Sequence, residues 1–101
     1  MNIIKLDIDK PYISMQNANR IIKVKNILGL DIIDIDIHKS TNGNYHILIE
    51  VLNPINDYEI ICIQILMLSD YKRECFNLLR IHSNKFISNG VEWNVLFTHK
   101  L

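Results

Sequence analysis

Two stretches in which apolar and polar residues alternate, 31–38 and 45–52, constrain the fold of this 101-residue chain more than any other feature. Alternation with a period of two is typical of β-strands that bury one face. A two-residue turn between them would place Ile35 opposite Glu50 and mix apolar with polar side chains on each face. A three-residue loop over 41–43 keeps apolar residues opposite apolar residues. The pattern therefore predicts a β-hairpin closed by the longer loop.

The loop determines which residues face one another across the hairpin. On one face the predicted apolar pairs are Ile33 with Val51, Ile35 with Ile49, and Ile37 with Ile47. On the polar face, His38 lies opposite His46 and Asp34 lies opposite Glu50. Gly43 falls at the left-handed position that such loops favour. We expect the isoleucine face to be buried under helices and the polar face to be open.

A strand and a helix are predicted before the hairpin. Residues 3–9 alternate from Ile4 onward, which indicates a half-buried strand. Residues 14–28 carry apolar side chains near helical spacing. Ser14 is a suitable N-cap for that helix, and Gly29 stands where a helix C-terminus favours left-handed backbone.

Two helices and a strand are predicted after the hairpin. An almost wholly apolar segment, capped by Asn56 or Asp57, runs to Leu68 and is expected to be a buried helix. A second helix over 71–79 and a final strand over 91–98 follow it. In that second helix the residues expected inward are Phe76 and Leu79, and those expected outward are Lys72, Arg73 and Glu74.

These elements predict a single α+β domain over residues 1–101, because glycine and proline are too sparse to mark a linker. The order β-α-β-β-α-(α)-β, with short connections and right-handed crossovers, indicates a ferredoxin-like or RRM-like fold. That fold has a four-stranded antiparallel sheet with helices on one face. Its open face would carry the charged and imidazole side chains, namely Lys5, Asp7, Asp9, Asp34, Asp36, His38, His46 and Glu50.

Charge and hydropathy exclude several classes of protein. The formal net charge is zero, which argues against a broad basic field for duplex DNA, although local phosphate contacts are compatible with it. The longest apolar run, residues 60–68, is far shorter than a membrane span. Asp7 interrupts the apolarity that a signal peptide needs, and Cys62 and Cys75 have no metal-ligand spacing. We expect reduced thiols, no membrane association and a cytoplasmic location.

Asp7 and Asp9 are candidate metal ligands. Two carboxylates two residues apart on a strand project the same way, and oxygen ligands suit Mg²⁺ or Mn²⁺. In a ferredoxin-like sheet the first and third strands are neighbours, so both aspartates approach His46, whose imidazole can hydrogen-bond a phosphate. The competing interpretation is that an exposed strand face is polar in any case. For Asp34 and Asp36, on an edge strand, charges that deter aggregation are the favoured interpretation.

The chain resembles the catalytic core of the archaeo-eukaryotic primase superfamily in the segment Ile-Ile-Lys-Leu-Asp7-Ile-Asp9 and in the helix, turn and strand that follow it. That group includes primase small subunits, plasmid primase-polymerases and bacterial end-joining polymerases. Its first motif is hydrophobic-Asp-hydrophobic-Asp at the end of a strand. Its second is a Ser/Gly-rich turn followed by a His, here Ser40, Gly43 and His46. The resemblance implies that Asp7 and Asp9 hold a divalent metal and that the turn and His46 contact a nucleoside triphosphate.

The C-terminal part of the chain also resembles plasmid and viral members of this superfamily. An Arg and an Asn-x-Lys-like ending recur there, which implies nucleotide contacts for Arg80 and Lys100. The family keeps a third acidic ligand on a later strand, and the final strand of this chain offers only Glu92, near its start. Asn77 or Asp70 is the alternative candidate for the position at which other members keep an acid. Nucleotidyl transfer is therefore less expected than binding.

Three functions follow as hypotheses. The first is a small replication-associated protein that binds nucleotide or nucleic acid through a divalent metal, alone or with a replication-protein partner. The second is an RNA-recognition-like module, although the open face offers acids where stacking aromatics would be needed. The third, which is the main alternative to the first, is a non-catalytic viral or plasmid interaction protein with a degenerate site. It would homodimerise through its edge strand or its isoleucine-rich helices.

Overall fold

A computed structural model of the protein describes residues 2–10, 12–41, 43–83 and Asn94. The elements along the described chain are β1 (Asn2–Ile8), α1 (Met15–Leu28), β2 (Ile32–Lys39), β3 (Tyr45–Val51), α2 (Asp57–Leu66) and α3 (Tyr71–Ser83). The strands form an antiparallel sheet in the order β1-β3-β2. The predicted α+β class and the order of these elements are confirmed. No helix in this part of the chain is long and apolar enough to cross a membrane.

Side-chain caps explain where α1 and α2 begin and end. Ser14 and Asn17 form a reciprocal capping box at the start of α1, and Gly29 ends that helix at φ 65°. Glycine adopts this left-handed conformation without the steric penalty of a Cβ. Asn56 and Glu59 form the same kind of box at the start of α2. The predicted caps Ser14 and Gly29 are therefore confirmed, and Asn56 rather than Asp57 caps α2.

The hairpin has the predicted longer loop. The Ser40 N–H donates to the carbonyl oxygen of Asn44 at 2.7 Å, and Gly43 has a φ of 88°. The pairs confirmed by the register are Ile35 with Ile49, Ile37 with Ile47, His38 with His46, and Asp34 with Glu50. The pair of Ile33 with Val51 is wrong, because a bulge between Ile32 and Asp34 places Ile32 opposite Val51.

The hydrophobic core lies between the β1–β3 half of the sheet and the first two helices. Its strand residues are Ile4, Leu6 and Ile8 from β1, with Ile47, Ile49 and Val51 from β3. Val24 from α1 and Ile63 from α2 pack against this layer, together with Met67, which follows α2. Ile4, Leu6 and Ile49 are wholly inaccessible to solvent, so the centre of the sheet carries the closest packing.

Strand β2 lies beyond the cover of the helices. The isoleucines expected to be buried, Ile33, Ile35 and Ile37, are 47%, 48% and 52% exposed. That expectation is wrong because the described helices pack over β1 and β3, and the apolar rows of the sheet continue onto β2 beyond them.

Helix α3 turns toward the protein interior the face that was expected to be exposed to solvent. Phe76 and Leu79, predicted to point inward, are 57% and 62% exposed. Arg73 and Glu74, predicted to point outward, are buried. The helix is turned this way because its polar side chains bond to β1 and α2, while Ile81 packs against Ile60 and Ile61 of α2.

The outer edge of β1 is closed by polar groups from the α2–α3 region. A fourth strand would need the main-chain N–H and C=O groups of residues 5 and 7, which point away from β3. These groups are already bonded: Lys5 N–H to Gln64 Oε1 (2.9 Å), Arg73 Nη1 to Lys5 O (2.8 Å), Asp7 N–H to Ser69 Oγ (2.9 Å) and Asp70 N–H to Asp7 O (2.7 Å). The described residues thus form three strands in place of the predicted four. The predicted strand 91–98 lies outside them, apart from Asn94.

The position of the core predicts unequal effects for two neighbouring isoleucines of β1. Ile4 is wholly buried, whereas Ile3 is 45% exposed. Ile4→Ala should lower the free energy of unfolding by about 3 kcal/mol, because it removes buried methyl groups and leaves a cavity. Ile3→Ala is the matched control and should cost about 1 kcal/mol or less. Urea denaturation of both variants checks this, and equal losses would contradict the assigned core.

Candidate functional site

A row of ionisable side chains crosses the polar face of the sheet. Register places Asp7 of β1 opposite His46 of β3, and His46 opposite His38 of β2. The Nε2 atom of His46 lies 3.6 Å from Oδ1 of Asp7. The residue His46 is only 2% exposed, and the Asp7 side chain is 15% exposed. The polar face is therefore not fully open as expected. On this face Lys5 Nζ donates to the carbonyl oxygen of Asn94 at 2.9 Å.

Asp7 carries a buried carboxylate oxygen without a hydrogen-bond donor. Among the described residues its Oδ1 atom is the one buried side-chain polar atom that lacks a hydrogen bond. Burial raises the pKa of Asp7 to about 6, against the effect of the Arg73 guanidinium, and the nearby acids Asp70, Asp9 and Glu74 raise it further. A carboxylate that is buried and repelled by neighbouring acids is stabilised by any cation or proton that binds to it.

The imidazole of His46 is shifted toward its neutral form. Burial lowers the pKa of His46, and the positive charge of Arg73 and the neighbouring His38 lower it further. Near neutral pH the ring is therefore uncharged and does not neutralise the Asp7 carboxylate. Asp7 and His46 form a close contact without a full ion pair.

Asp7 also lines a groove that holds two further carboxylates. The groove has a volume of about 430 Å³ and lies between the end of β1, the start of α1 and the turn between α2 and α3. Its polar and ionisable lining residues are Asp7, Asp9, Lys10, Ser14, Gln16, Asn17, Ser69, Asp70 and Tyr71. We call it the acidic groove. Asp70, an alternative position for the third acid, therefore shares a surface with the two predicted metal ligands.

The hairpin loop is tied to the same region through Asn44. The side-chain amide of Asn44 donates to Oδ1 of Asp9 at 3.0 Å. The main-chain N–H of Asn44 in turn donates to the hydroxyl oxygen of Ser40 at 3.2 Å. The structure thus brings the two sequence motifs together, with Ser40 and Gly43 in the loop beside Asp9 and not within the groove itself.

The donor set fits a cation that arrives with its own ligands. Within the described residues, no group of three or more His, Cys, Asp or Glu side chains is arranged to hold a metal ion. Mg²⁺, however, is usually bound through one or two carboxylates plus water and substrate phosphates. Asp7, with its unpartnered oxygen, and the neighbouring Asp9 meet that requirement chemically.

Of the two predicted C-terminal nucleotide contacts, Arg80 lies in the described part of the chain and does not line this groove. Arg80 donates to Oδ1 of Asn77 at 2.9 Å and is not among the described residues that line the acidic groove. Lys100 lies outside the described residues.

A buried polar network behind the groove was not predicted from the sequence. Its members are Gln64 and Glu74, both wholly buried, with Asn77, Arg73 and Asn94. Gln64 Nε2 donates to Glu74 Oε1 at 2.6 Å, and Arg73 Nη2 donates to Asn94 Oδ1 at 2.6 Å. Arg73 also forms an ion pair with Glu74. A glutamine inside an otherwise apolar helix was the sequence signal, since such a residue needs buried partners.

No protein-family model, curated protein or solved structure matches this chain. The relation to primases therefore stays a prediction that rests on the motifs around Asp7, Asp9, Ser40, Gly43 and His46.

The pKa of Asp7 predicts that replacing this residue stabilises the protein at neutral pH. The folded state binds the Asp7 proton more tightly than the unfolded chain does, so stability falls as the pH rises from about 4 to about 6. Asp7→Asn removes this loss. Its free energy of unfolding should match the wild type near pH 4 and exceed it by about 3 kcal/mol above pH 6.

Guanidinium denaturation at several pH values measures this difference. His46 has a lowered pKa and acts with the opposite sign, but it is present in both proteins and largely cancels. Asp34→Asn, at an exposed position on β2, is the control and should change stability by less than about 0.5 kcal/mol. A pH-independent difference between wild type and Asp7→Asn would contradict the assigned burial of Asp7.

The network predicts a large cost for neutralising Glu74. Glu74→Gln removes the buried negative charge that pairs with Arg73, so the free energy of unfolding should fall by about 3 kcal/mol. Lys72→Gln changes an exposed neighbour on the same helix and should cost less than about 0.5 kcal/mol. Thermal and urea unfolding distinguish the two, and equal stability would show that Glu74 is not buried against Arg73.

Proposed function

We propose that this domain binds a nucleoside triphosphate, or the phosphate of a nucleic acid, together with Mg²⁺ or Mn²⁺ in the acidic groove. One observation carries the proposal: Oδ1 of Asp7 is a buried carboxylate oxygen that lacks a donor within the described residues. Native proteins seldom leave such an atom unsatisfied unless a ligand, proton or water completes it.

The charges around Asp7 favour a cation as that ligand. Asp9 and Asp70 line the same groove, and both raise the pKa of Asp7 by repulsion. Above pH 6 the Asp7 carboxylate is ionised, and the Arg73 guanidinium is already engaged by Glu74 and by the main chain of β1. A divalent cation would offset the repulsion between the carboxylates.

Other residues of the groove suit the phosphates and base of a nucleotide. Lys10 lines the groove and offers a positive charge for a phosphate that the cation brings with it. Tyr71 lines it too and is 66% exposed, so its ring is accessible for stacking on a base. The loop with Ser40 and Gly43 lies beside Asp9 and supplies the second motif of the primase resemblance.

We assign His46 a positioning role in place of direct nucleotide contact. Its ring is almost inaccessible, and its Nε2 atom lies 3.6 Å from Oδ1 of Asp7. A neutral imidazole in this place limits the movement of the Asp7 carboxylate and leaves its negative charge available to the cation.

The proposed role is nucleotide or nucleic-acid binding in virus or plasmid replication, in the cytoplasm, and it does not include nucleotidyl transfer. A two-metal polymerase site must hold both ions firmly. Asp70 is the third carboxylate of the groove, but its main-chain N–H bonds to Asp7 O and its carboxylate accepts from Arg73 N–H at the start of α3. The proposal therefore concerns binding alone.

Calorimetric titration tests the proposal with Mn²⁺ and a nucleoside triphosphate, added separately and together. The wild type should bind the nucleotide with Mn²⁺ present. Asp7→Asn and Asp9→Asn should each weaken binding at least about tenfold, because each removes a charged oxygen ligand. Asp36→Asn, an exposed acid on β2 outside the groove, should leave it unchanged.

The pH dependence of that titration adds a second criterion. The cation needs an ionised Asp7, so affinity should fall about tenfold for each pH unit below about 6 and should level off above it. Identical titrations for the wild type and Asp7→Asn would refute the proposed site.

A further inference from the structure

Strand β2 is an edge strand whose outer side has no partner in the described part of the chain. It ends the order β1-β3-β2, and both of its faces are exposed from Ile33 to Lys39. By contrast, the outer groups of β1 are bonded at residues 5 and 7. The sheet therefore has one closed edge and one open edge over these residues.

The hydrogen-bond pattern shows which main-chain groups point outward from β2. The bond from Ser40 N–H to Asn44 O makes that pair hydrogen-bonded, and hydrogen-bonded pairs alternate along an antiparallel ladder. His38, Asp36 and Asp34 accordingly bond toward β3. The N–H and C=O groups of Ile35, Ile37 and Lys39 point to the open side.

We propose that β2 pairs antiparallel with β2 of a second copy of this chain, with Ile37 on the two-fold axis. In this register Ile37 lies opposite the partner's Ile37, and Ile35 lies opposite the partner's Lys39. Such an interface is isologous, since the same strand contributes to both sides of it. The two sheets then join into a single six-stranded sheet.

Charge complementarity favours this register over those centred on Asp36 or Ile35. With Ile37 on the axis, Asp36 faces the partner's His38, and His38 faces the partner's Asp36. Within one chain these two side chains already interact at 2.9 Å, so their chemistry is compatible. Placing the axis at Asp36 would oppose two aspartates, and placing it at Ile35 would oppose Asp34 to the partner's Asp36. Like charges directly opposite destabilise strand pairs.

The apolar surface of β2 is consistent with the same partner. Ile35 and Ile37 extend the core rows of Ile49 and Ile47 beyond the helices and are 48% and 52% exposed. Across the proposed axis, Ile37 packs against its own symmetry mate, and Ile35 packs against the aliphatic stem of the partner's Lys39. Pairing thus satisfies the free main-chain groups and reduces the exposed apolar area at once.

Disulfide trapping tests the register. In a Cys62→Ser/Cys75→Ser background, Ile37→Cys places two thiols on the axis, about 5.5 Å apart at Cα, which a disulfide spans. Ile35→Cys is the matched control, because its symmetry mate lies four residues along the strand, about 13 Å away. Mild oxidation should give a covalent dimer for Ile37→Cys and none for Ile35→Cys. The reverse result, or no dimer for either variant, would overturn the proposal.

Sedimentation of charge variants tests the pairing independently of any metal or nucleotide. Asp36→Lys opposes Lys to the partner's His38, and His38→Asp opposes two aspartates, so each variant alone should dimerise at least tenfold more weakly. Mixed together, the two variants restore opposite charges and should form a heterodimer. Ile27→Lys on α1, at a residue 71% exposed, is the control and should dimerise as the wild type does. A wild type that stays monomeric from micromolar to millimolar concentration would overturn the proposal.

Discussion

The closure of the β1 edge by polar groups of the α2–α3 region is the constraint on which the rest of the structure depends. Gln64 accepts the Lys5 N–H, and Arg73 donates to the Lys5 carbonyl oxygen, so two side chains replace what another strand would supply. Burying a polar group is tolerated only when it is bonded, which orients α3 with its charged side inward. With that edge closed, β2 is the side of the sheet on which further pairing can occur.

The buried polar network around Arg73 also affects the pKa values of Asp7 and His46. Arg73 holds Glu74 and the β1 main chain, and from there its positive charge lowers the pKa of both Asp7 and His46. For His46 this charge acts together with burial, and the ring is neutral. For Asp7 it opposes burial, and burial is the larger effect. Arg73 therefore shifts the pKa values of two side chains that lie 3.6 Å apart in the same direction, whereas burial raises that of Asp7 and lowers that of His46.

Local patterns were sufficient to predict the hairpin and the first helix. Alternation and the loop length determined that Ile37 faces Ile47 and that His38 faces His46, because a shift of one residue would exchange the two faces. The caps at Ser14 and Gly29 were predictable for the same reason, since each depends on its own residue and its near neighbours.

Features that depend on residues far apart in the sequence were not predictable in this way. The orientation of α3 follows from bonds between Glu74, Gln64 and Asn94, and periodicity within the helix gives no information about them. The exposure of Ile35 likewise depends on where the helices stop across the sheet and not on the alternation within β2. In the site, sequence placed Asp7 beside His46 but could not reveal that His46 is buried.

Asp7 and β2 share a physical property that most of the described chain lacks. Within the described residues, each holds polar groups without a protein partner: a buried carboxylate oxygen in one case, a row of solvent-facing main-chain groups in the other. Along β1, by contrast, Gln64 and Arg73 bond the outward main-chain groups of Lys5. In an otherwise consistent fold, polar groups that lack a protein partner are often at functional sites, where a ligand or a partner supplies the bond. The contrast between the two edges of one sheet is therefore the physical basis for proposing a partner at β2, as the buried oxygen of Asp7 is for proposing a ligand in the acidic groove.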